Sequence, residues 1–360
     1  MSTVEFADAA AQHGDPWSAV VGQPNVVRSL RAATANPVHA YLFLGPAGTG
    51  KKVAASVFAG ELLAAADPAN AGRHRSLASR LVHPDVKIIS PTGSVFRIEE
   101  SKRLVTEASR SPVEGNRKVV IAERFHDANA TAMPVLLKIA EEPPDSTIFM
   151  FLADYLQPEQ VTVASRCTSI EFKAVADDRI VDTLVAEAVD PDTARRAAEA
   201  AGGSLERARL LVSDRQLMAR RDAWWSIPDR LDGSGAAIGV IVEEIRSMID
   251  DSMTTLKDAQ KGELESLDEQ EKSHGTRGSG RSELEAHHKR VARRHRTDEL
   301  VFGFATLARR YRKMLVDPGP VDTNRIADAI RRLNESSASL VRSPTESLLL
   351  TALLLDLPAS

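Results

Sequence analysis

The first half of the chain contains apolar runs that are short and nearly continuous. These runs predict four strands, at Ala40–Leu44, Val86–Ile89, Lys118–Ala122 and Thr147–Leu152. The segments between them predict helices, most clearly Lys52–Ala66, which is rich in Ala, Val and Leu and free of proline. Because strands that are apolar along their length are buried on both faces, this alternation predicts an α/β fold with a parallel sheet flanked by helices.

The second half of the chain is predicted to be helical, because the strand signal disappears at about Asp177. An acidic segment, Val242–Lys272, and a basic segment, Arg281–Arg296, could pair as an antiparallel hairpin of opposite charge over residues of about 243–300. The simplest interpretation is a solvated hairpin. Contact with DNA phosphates is the alternative, and the absence of aromatic residues from the basic segment disfavours it.

Composition narrows the class of protein. The chain has 360 residues, of which 43% are hydrophobic and 27% charged, so we expect two or three globular domains. The single cysteine, Cys167, excludes an internal disulfide and a multi-cysteine zinc site. The formal net charge of -4 argues against binding nucleic acid with the whole surface. The sequence carries neither a long apolar run nor a secretory signal, and we expect a cytoplasmic protein without membrane contact.

A glycine-rich loop follows the first predicted strand and opens the first predicted helix. Its sequence fits the phosphate-binding loop through the residues Gly45, Gly48, Gly50 and Lys51. The glycines would allow backbone N–H groups to point at phosphate oxygens, and Lys51 would reach the terminal phosphates. The strand before the loop and the helix after it support a genuine loop of this fold.

The residues required for hydrolysis are incomplete. A working loop ends in Ser or Thr, whose hydroxyl binds magnesium, whereas this chain has Lys52, whose ammonium cannot bind a metal. The third predicted strand leads into Glu123 and then Arg124, so one carboxylate stands where an acidic pair is needed. We therefore predict that nucleotide binding is weak or vestigial, that no cofactor is required and that no metal is bound.

Several motifs, in this order, resemble the clamp-loader branch of the AAA+ ATPases, and specifically the delta-prime subunits of bacterial DNA polymerase III. They are Pro16–Gln23, His39–Phe43 before the loop, His83–Val86 with Ile98-Glu99, Leu136–Pro144 and Ser165-Arg166-Cys167. The charged hairpin further resembles that of actinobacterial delta-prime subunits. Relatives of this kind often carry a four-cysteine zinc module before the His83 motif, but residues 59–81 contain no cysteine, and we predict no zinc.

The resemblance implies an AAA+ phosphate-loop domain over residues 1–175, a small helical lid over 176–215 and an all-α collar over 216–360 that includes the hairpin. It implies a non-catalytic subunit that helps to load the sliding clamp on primed DNA during DNA replication, in an assembly classed as a DNA-directed DNA polymerase, a nucleotidyltransferase. The implied partners are the motor (gamma/tau) subunits, the delta subunit, the sliding clamp and, through the complex, primer–template DNA. The implied location is the nucleoid-associated replisome in the cytoplasm.

The resemblance also assigns roles to individual residues. Arg166 would act in trans as an arginine finger on the ATP of a neighbouring subunit; without the motif it would be interpreted as an ordinary surface ion pair. Glu123 would be the remnant of the Walker B acid, and Ser165 and Cys167 complete the family motif. We interpret Cys167 as a small buried apolar residue rather than a nucleophile. The lid arginine of the family is replaced by Glu206, which also fits a silent site.

Two alternatives stay open. The first is an active AAA+ ATPase, such as a helicase or remodeller, which would show magnesium-dependent hydrolysis that Lys51→Ala abolishes. The second is a phosphate-loop kinase of small metabolites that acts alone. The long helical tail and the lack of a visible acceptor site weigh against the kinase.

Overall fold

The computed structural model describes residues 15–91, 93, 95–213, 215–254, 256–258, 260–265, 281–316, 322–340 and 344–359. These residues form two compact units, which divide near residue 214: residues 15–91 with 95–213, and residue 93 with 215–359. The boundary between a sheet domain and a lid at 175/176, and the limits of a collar domain, stay predictions. No helix in the described part of the chain is both long enough and apolar enough to cross a membrane.

The first unit is built on a five-stranded parallel sheet. Its strands are β1 (Ala40–Leu44), β2 (Val86–Ile89), β3 (Lys118–Ala122), β4 (Thr147–Ala153) and β5 (Thr168–Glu171). They lie in the order β2-β3-β4-β1-β5. The carboxyl ends of β1, β3 and β4 therefore meet at the centre of one edge, where α/β folds of this type bind their ligands. The predicted fold class is confirmed, and the four predicted strands are observed within one residue of their predicted bounds.

Both faces of the sheet are covered because successive side chains of a strand point to opposite faces. Tyr41 and Phe43 of β1 pack in one core with Phe58, while Leu42 packs in a second core on the other face with Phe149. The helices of this unit are α1 (Pro24–Ala35), α2 (Lys51–Ala66), α3 (Ala71–Ser79), α4 (Ile98–Ala108), α5 (Met133–Glu141), α6 (Val161–Ala164), α7 (Asp177–Ala186), α8 (Pro191–Ala201) and α9 (Leu205–Ser213).

The second unit contains helices and no strand among its described residues. The helices are α10 (Arg215–Trp225), α11 (Ile227–Arg230), α12 (Gly235–Ser252), α13 (Arg281–Val316), α14 (Thr323–Ser339) and α15 (Glu346–Asp356). Trp224 packs edge-on against Phe304, with ring centroids 6.0 Å apart. Gly303 permits this packing, because a Cβ at that position would lie 2.1 Å from the Trp224 ring.

The charged segments of the second unit differ in extent from their predicted bounds. The predicted acidic helix Val242–Lys272 is interrupted, since α12 ends at Ser252, and the basic helix does not stop at Arg296 but continues to Val316 as α13. The two limbs lie antiparallel: His295 Nε2 is 2.9 Å from Ser252 Oγ, and His288 Nε2 is 2.7 Å from the Glu263 carboxylate. The glycine-rich break at residues 273–280 lies outside the described residues.

Candidate functional site

The phosphate loop connects β1 to α2 and lies at the carboxyl end of the sheet. The Gly45 N–H donates to the Ala153 carbonyl at the end of β4, over 3.1 Å. Gly50 is the residue before α2 and has φ +90°, a left-handed conformation that favours glycine. The loop is thus bonded to the neighbouring strand β4 at its start and leads into α2 at its end. The strand before the loop and the helix after it were predicted from the sequence.

The Lys51 ammonium is bound by acceptors of its own chain. Its Nζ donates to the Gly45 carbonyl (2.5 Å), the Pro46 carbonyl (2.7 Å) and Asp154 Oδ1 (2.8 Å). An ammonium has three N–H donors, so these contacts use all of them. The lysine side chain is 9% exposed. A phosphate that approached Lys51 would have to displace acceptors already in place.

Lys52 occupies the position where a working loop has a metal-binding hydroxyl. Its Nζ lies 2.9 Å from Glu123 Oε1, and Glu123 also accepts a hydrogen bond from the Ser90 hydroxyl. The residue that replaces the metal ligand is therefore bound to the one carboxylate that remains at the end of β3. The carboxylate that could bind a magnesium ion is thus paired with an ammonium instead.

The start of α9 lies directly on the loop. Gly48 has φ +70°, and a Cβ built on it would lie 1.8 Å from Ser204 Oγ and 3.5 Å from the Glu206 Cβ. Ser204 is buried, and its hydroxyl accepts the Arg207 N–H at the N-terminus of α9. The carboxylate side chain of Glu206, which lies beside this loop, disfavours the binding of phosphates by like-charge repulsion.

His126 completes the surroundings of Asp154. Its Nδ1 accepts the Asp154 N–H over 3.0 Å, which fixes the start of the loop after β4. Burial lowers the pKa of His126 below its usual value, so the ring is neutral at pH 7. Asp154 and Ser204 were not predicted as site residues from the sequence. Asp154 could have been predicted, because it directly follows an apolar strand whose carboxyl end lies next to that of β1.

Arg166 lies just after α6, and its known hydrogen bonds go to neighbours on the surface. Its Nε and Nη2 lie 2.7 Å and 2.6 Å from Glu141 Oε1, and its Nη1 donates to the Thr162 carbonyl over 2.7 Å. The side chains of Arg166 and Glu141 are 36% and 44% exposed. The guanidinium is oriented by two elements, α5 and α6, but remains open to solvent.

Cys167, next to Arg166, is chemically quiet. Its thiol lies 3.3 Å from the Val163 carbonyl, and burial raises its pKa to about 12. The thiolate, which is the nucleophilic form, is therefore almost absent at neutral pH. Cys167 is partly rather than fully buried and packs against the core on one face of the sheet. It is therefore less buried than predicted, but the high pKa of its thiol agrees with a residue that is not a nucleophile.

A histidine pair that was not predicted from the sequence joins α3, which contains His74, to the segment before β2, which contains His83. His74 and His83 are both buried, and each offers a ligand atom within 4.8 Å of the other and of the Glu114 carboxylate, a spacing that could hold a metal. The Asp85 N–H donates to His83 Nδ1 over 2.9 Å, so the ring proton is on Nε2, which lies 2.8 Å from His74 Nδ1.

The second nitrogen of His74 is also occupied, since its Nε2 lies 3.2 Å from Asp67 Oδ2. A metal between the rings would have to displace the proton on His83 Nε2 while Nδ1 kept its acceptor role. The hydrogen bonds therefore favour a directly bonded histidine pair over a metal site. Burial lowers the pKa of His83 below its usual value. The absence of zinc stays a prediction.

Comparisons with known proteins concern mainly the first unit. Residues 22–176 match the family model described as "DNA polymerase III, delta subunit". The DNA polymerase III subunit delta' of Bacillus subtilis is 30% identical over 179 residues, which cover 49% of this chain and 54% of that protein. The DNA polymerase III subunit gamma/tau of Mycobacterium tuberculosis is 31% identical over 225 residues, which cover 57% of this chain and 38% of that protein. The chain thus spans about half or less of the length of these relatives.

Solved structures resemble the chain only distantly. A DNA polymerase III gamma subunit-related protein of Thermotoga maritima has a TM-score of 0.38 at 14% identity, over 91% of this chain and 97% of its own. The Bacillus subtilis clamp loader delta protein has a TM-score of 0.30 at 12% identity, over 92% of this chain and 97% of its own. Similarity at this level supports no functional argument.

Proposed function

We propose that this chain is the non-catalytic delta-prime subunit of a DNA polymerase III clamp loader. The match to the family model and the similarity to delta' subunits support membership of the clamp-loader family. In this role it would help to load the sliding clamp on primed DNA without hydrolysing ATP itself. Its partners would be gamma/tau motor subunits and a delta subunit, and primer–template DNA through the assembly. The place of action would be the replisome in the cytoplasm.

The observation that carries the proposal is the ion pair between Lys52 and Glu123. Magnesium needs oxygen ligands, and here an ammonium takes both the ligand position and the remaining carboxylate. The ammonium of Lys52 would also repel a magnesium ion held by Glu123, because the two positive charges would lie next to the same carboxylate. The residues present therefore do not fit a magnesium nucleotide, which supports a chain without its own ATPase activity.

Arg166 is the residue through which the chain would contribute to hydrolysis elsewhere. Its guanidinium is exposed and oriented by Glu141 and Thr162. A planar guanidinium with fixed charge can stabilise the charge that develops on the transferring phosphate of a neighbouring subunit. We propose that Arg166 acts in trans in this way.

Two measurements together test the proposal. The purified chain should show no magnesium-dependent ATP hydrolysis above background, and Lys51→Ala should leave that background unchanged. The tagged chain, purified from its native cytoplasm and analysed by quantitative mass spectrometry, should bring gamma/tau and delta subunits at a fixed ratio. Turnover by the pure chain that Lys51→Ala abolishes would instead establish the active AAA+ ATPase, and recovery of the chain without these partners would refute the assembly role.

A further inference from the structure

A cationic groove lies along the free edge of the sheet, between β2 and α4. Its volume is about 410 Å³, and it lies far from the phosphate loop in the strand order, since β3 and β4 separate β2 from β1. The residues of the groove that matter for its chemistry are Lys87, Ile88, Lys102, Arg103, Glu107 and Arg110.

The backbone of β2 presents an open edge to this groove. The carbonyls of Asp85 and Ile89 accept the N–H groups of Val119 and Glu123, so these residues face β3. Because the backbone groups of successive strand residues point to opposite sides, the N–H and C=O of Ile88 point away from the sheet. Neither has a backbone partner within the described ranges. One donor and one acceptor are thus available side by side.

The side chains that line the groove carry a net positive charge. Glu107 is neutralised locally, because Arg110 lies 2.6 Å from one of its oxygens and Lys118 lies 4.0 Å from the other. Lys87, Lys102 and Arg103 have no carboxylate partner in the part of the chain that the structure describes. A lone lysine on an edge strand discourages unwanted pairing. Three cations together produce a field that attracts acidic groups.

We propose that this groove binds an extended acidic segment of a partner protein, which adds a strand to β2. A peptide backbone supplies both the acceptor for the Ile88 N–H and the donor for the Ile88 C=O, and acidic side chains meet the three cations. A nucleic-acid backbone supplies phosphate acceptors only, and no aromatic residue lines the groove to stack on bases. The combination of charge and an open strand edge therefore selects an acidic peptide over DNA.

The test uses the full chain and a synthetic probe, an alternating Val-Glu peptide of about six residues, blocked at both ends. Hydrogen exchange at the Ile88 amide should be fast in the chain alone and slow with the probe. An alternating Val-Lys peptide should not bind. The double variant Lys102→Glu/Arg103→Glu should weaken binding of the acidic probe by about tenfold. The control Arg28→Glu/Lys173→Glu, which changes the net charge equally at exposed positions elsewhere, should leave binding unchanged.

Three results would overturn the proposal. The first is a slowly exchanging Ile88 amide without any probe, which would mean that the chain itself covers the edge. The second is acidic-probe affinity that neither the double variant nor Lys87→Gln changes. The third is a short DNA duplex that binds with the same sensitivity to charge reversal and leaves the Ile88 amide unprotected, which would mark the groove as a nucleic-acid surface. Melting curves establish beforehand that the variants are folded.

Discussion

The phosphate loop and the segment around Arg166 both pair cations with carboxylates, but they differ in what surrounds the pair. At the loop, Lys51 is 9% exposed and shares its protons with two backbone carbonyls as well as Asp154. At the other site, Arg166 and Glu141 are both more than a third exposed. An exposed pair contributes about 0–1 kcal/mol and exchanges partners readily, whereas a buried ammonium with three acceptors does not. The contacts of Lys51 therefore oppose phosphate binding at the loop, whereas the guanidinium of Arg166 stays available to another molecule.

The strongest way to break this contrast is to remove the available charge. Arg166→Ala should leave assembly of the complete loader intact and lower hydrolysis at the adjacent motor subunit by about 10³-fold or more, because an arginine finger contributes about 10³ to 10⁵ in rate. The measurement is single-turnover ATP hydrolysis by the reconstituted loader. Arg195→Ala, which removes an exposed arginine paired with Asp192, is the control and should have no effect. Unchanged hydrolysis in Arg166→Ala would refute the finger role.

The reverse experiment is to open the closed site. The double variant Lys52→Thr/Asp154→Asn restores a hydroxyl at the metal position and releases Lys51 from its carboxylate. We expect magnesium-dependent nucleotide affinity to rise by about tenfold or more over the unmodified chain, because a repelling charge is removed. Isothermal titration with a magnesium nucleotide measures this. The control is Lys138→Thr, at an exposed lysine of α5. Equal nucleotide affinity in the double variant and the control would show that the ion pairs of Lys51 and Lys52 do not prevent nucleotide binding.

Removing the buried ammonium tests whether Lys51 serves structure. Lys51→Ala leaves two loop carbonyls and Asp154 without their donor, so we expect a loss of about 1–2 kcal/mol in the free energy of unfolding. Loader activity should stay unchanged. Urea unfolding of the chain and loading assays on the assembled complex measure the two effects separately. A collapse of loader activity at unchanged stability would instead show that the loop works as a nucleotide site.

The smallest effect concerns pH. Burial lowers the pKa of both His83 and His126, so the folded state favours their neutral forms. The unfolded chain then binds more protons, and stability is lost as the pH falls below about 6.5, the usual histidine value. Urea midpoints at pH 8 and pH 5.5 should differ in this direction, and His83→Gln should reduce the difference. Equal midpoints would show that neither histidine is held neutral.

Local sequence was sufficient where burial on both faces determines structure. The strands β1 to β4 were predicted because their apolar runs are continuous, and the loop because its glycines follow one of them. The strand β5 was missed because it is short and alternates, with Thr168, Ser169 and Glu171 exposed and only Ile170 buried. A sheet-edge strand of this kind carries no apolar run to detect.

Contacts between residues that are far apart in the sequence could not be predicted from local sequence. Lys51 and Asp154 are 103 positions apart, and only the neighbouring positions of β1 and β4 bring them together. The incomplete catalytic set was predicted from residue types, but the ion pair that fills its place was not. The histidine pair was not predicted because His74 and His83 are 9 positions apart, without the spacing of a helix face, and only the fold brings their rings together.

The close approach of Gly48 to Ser204 limits how near helix α9 can lie to the phosphate loop. A single hydrogen atom on Gly48 sets how closely the helix can approach the loop, because the next larger substituent would collide with the Ser204 hydroxyl. The distance between the loop and α9 at position 48 therefore depends on the absence of a Cβ atom. The approach of α9 to the loop could therefore be changed without any change of charge. We expect alanine or serine at position 48 to increase the separation between the phosphate loop and α9.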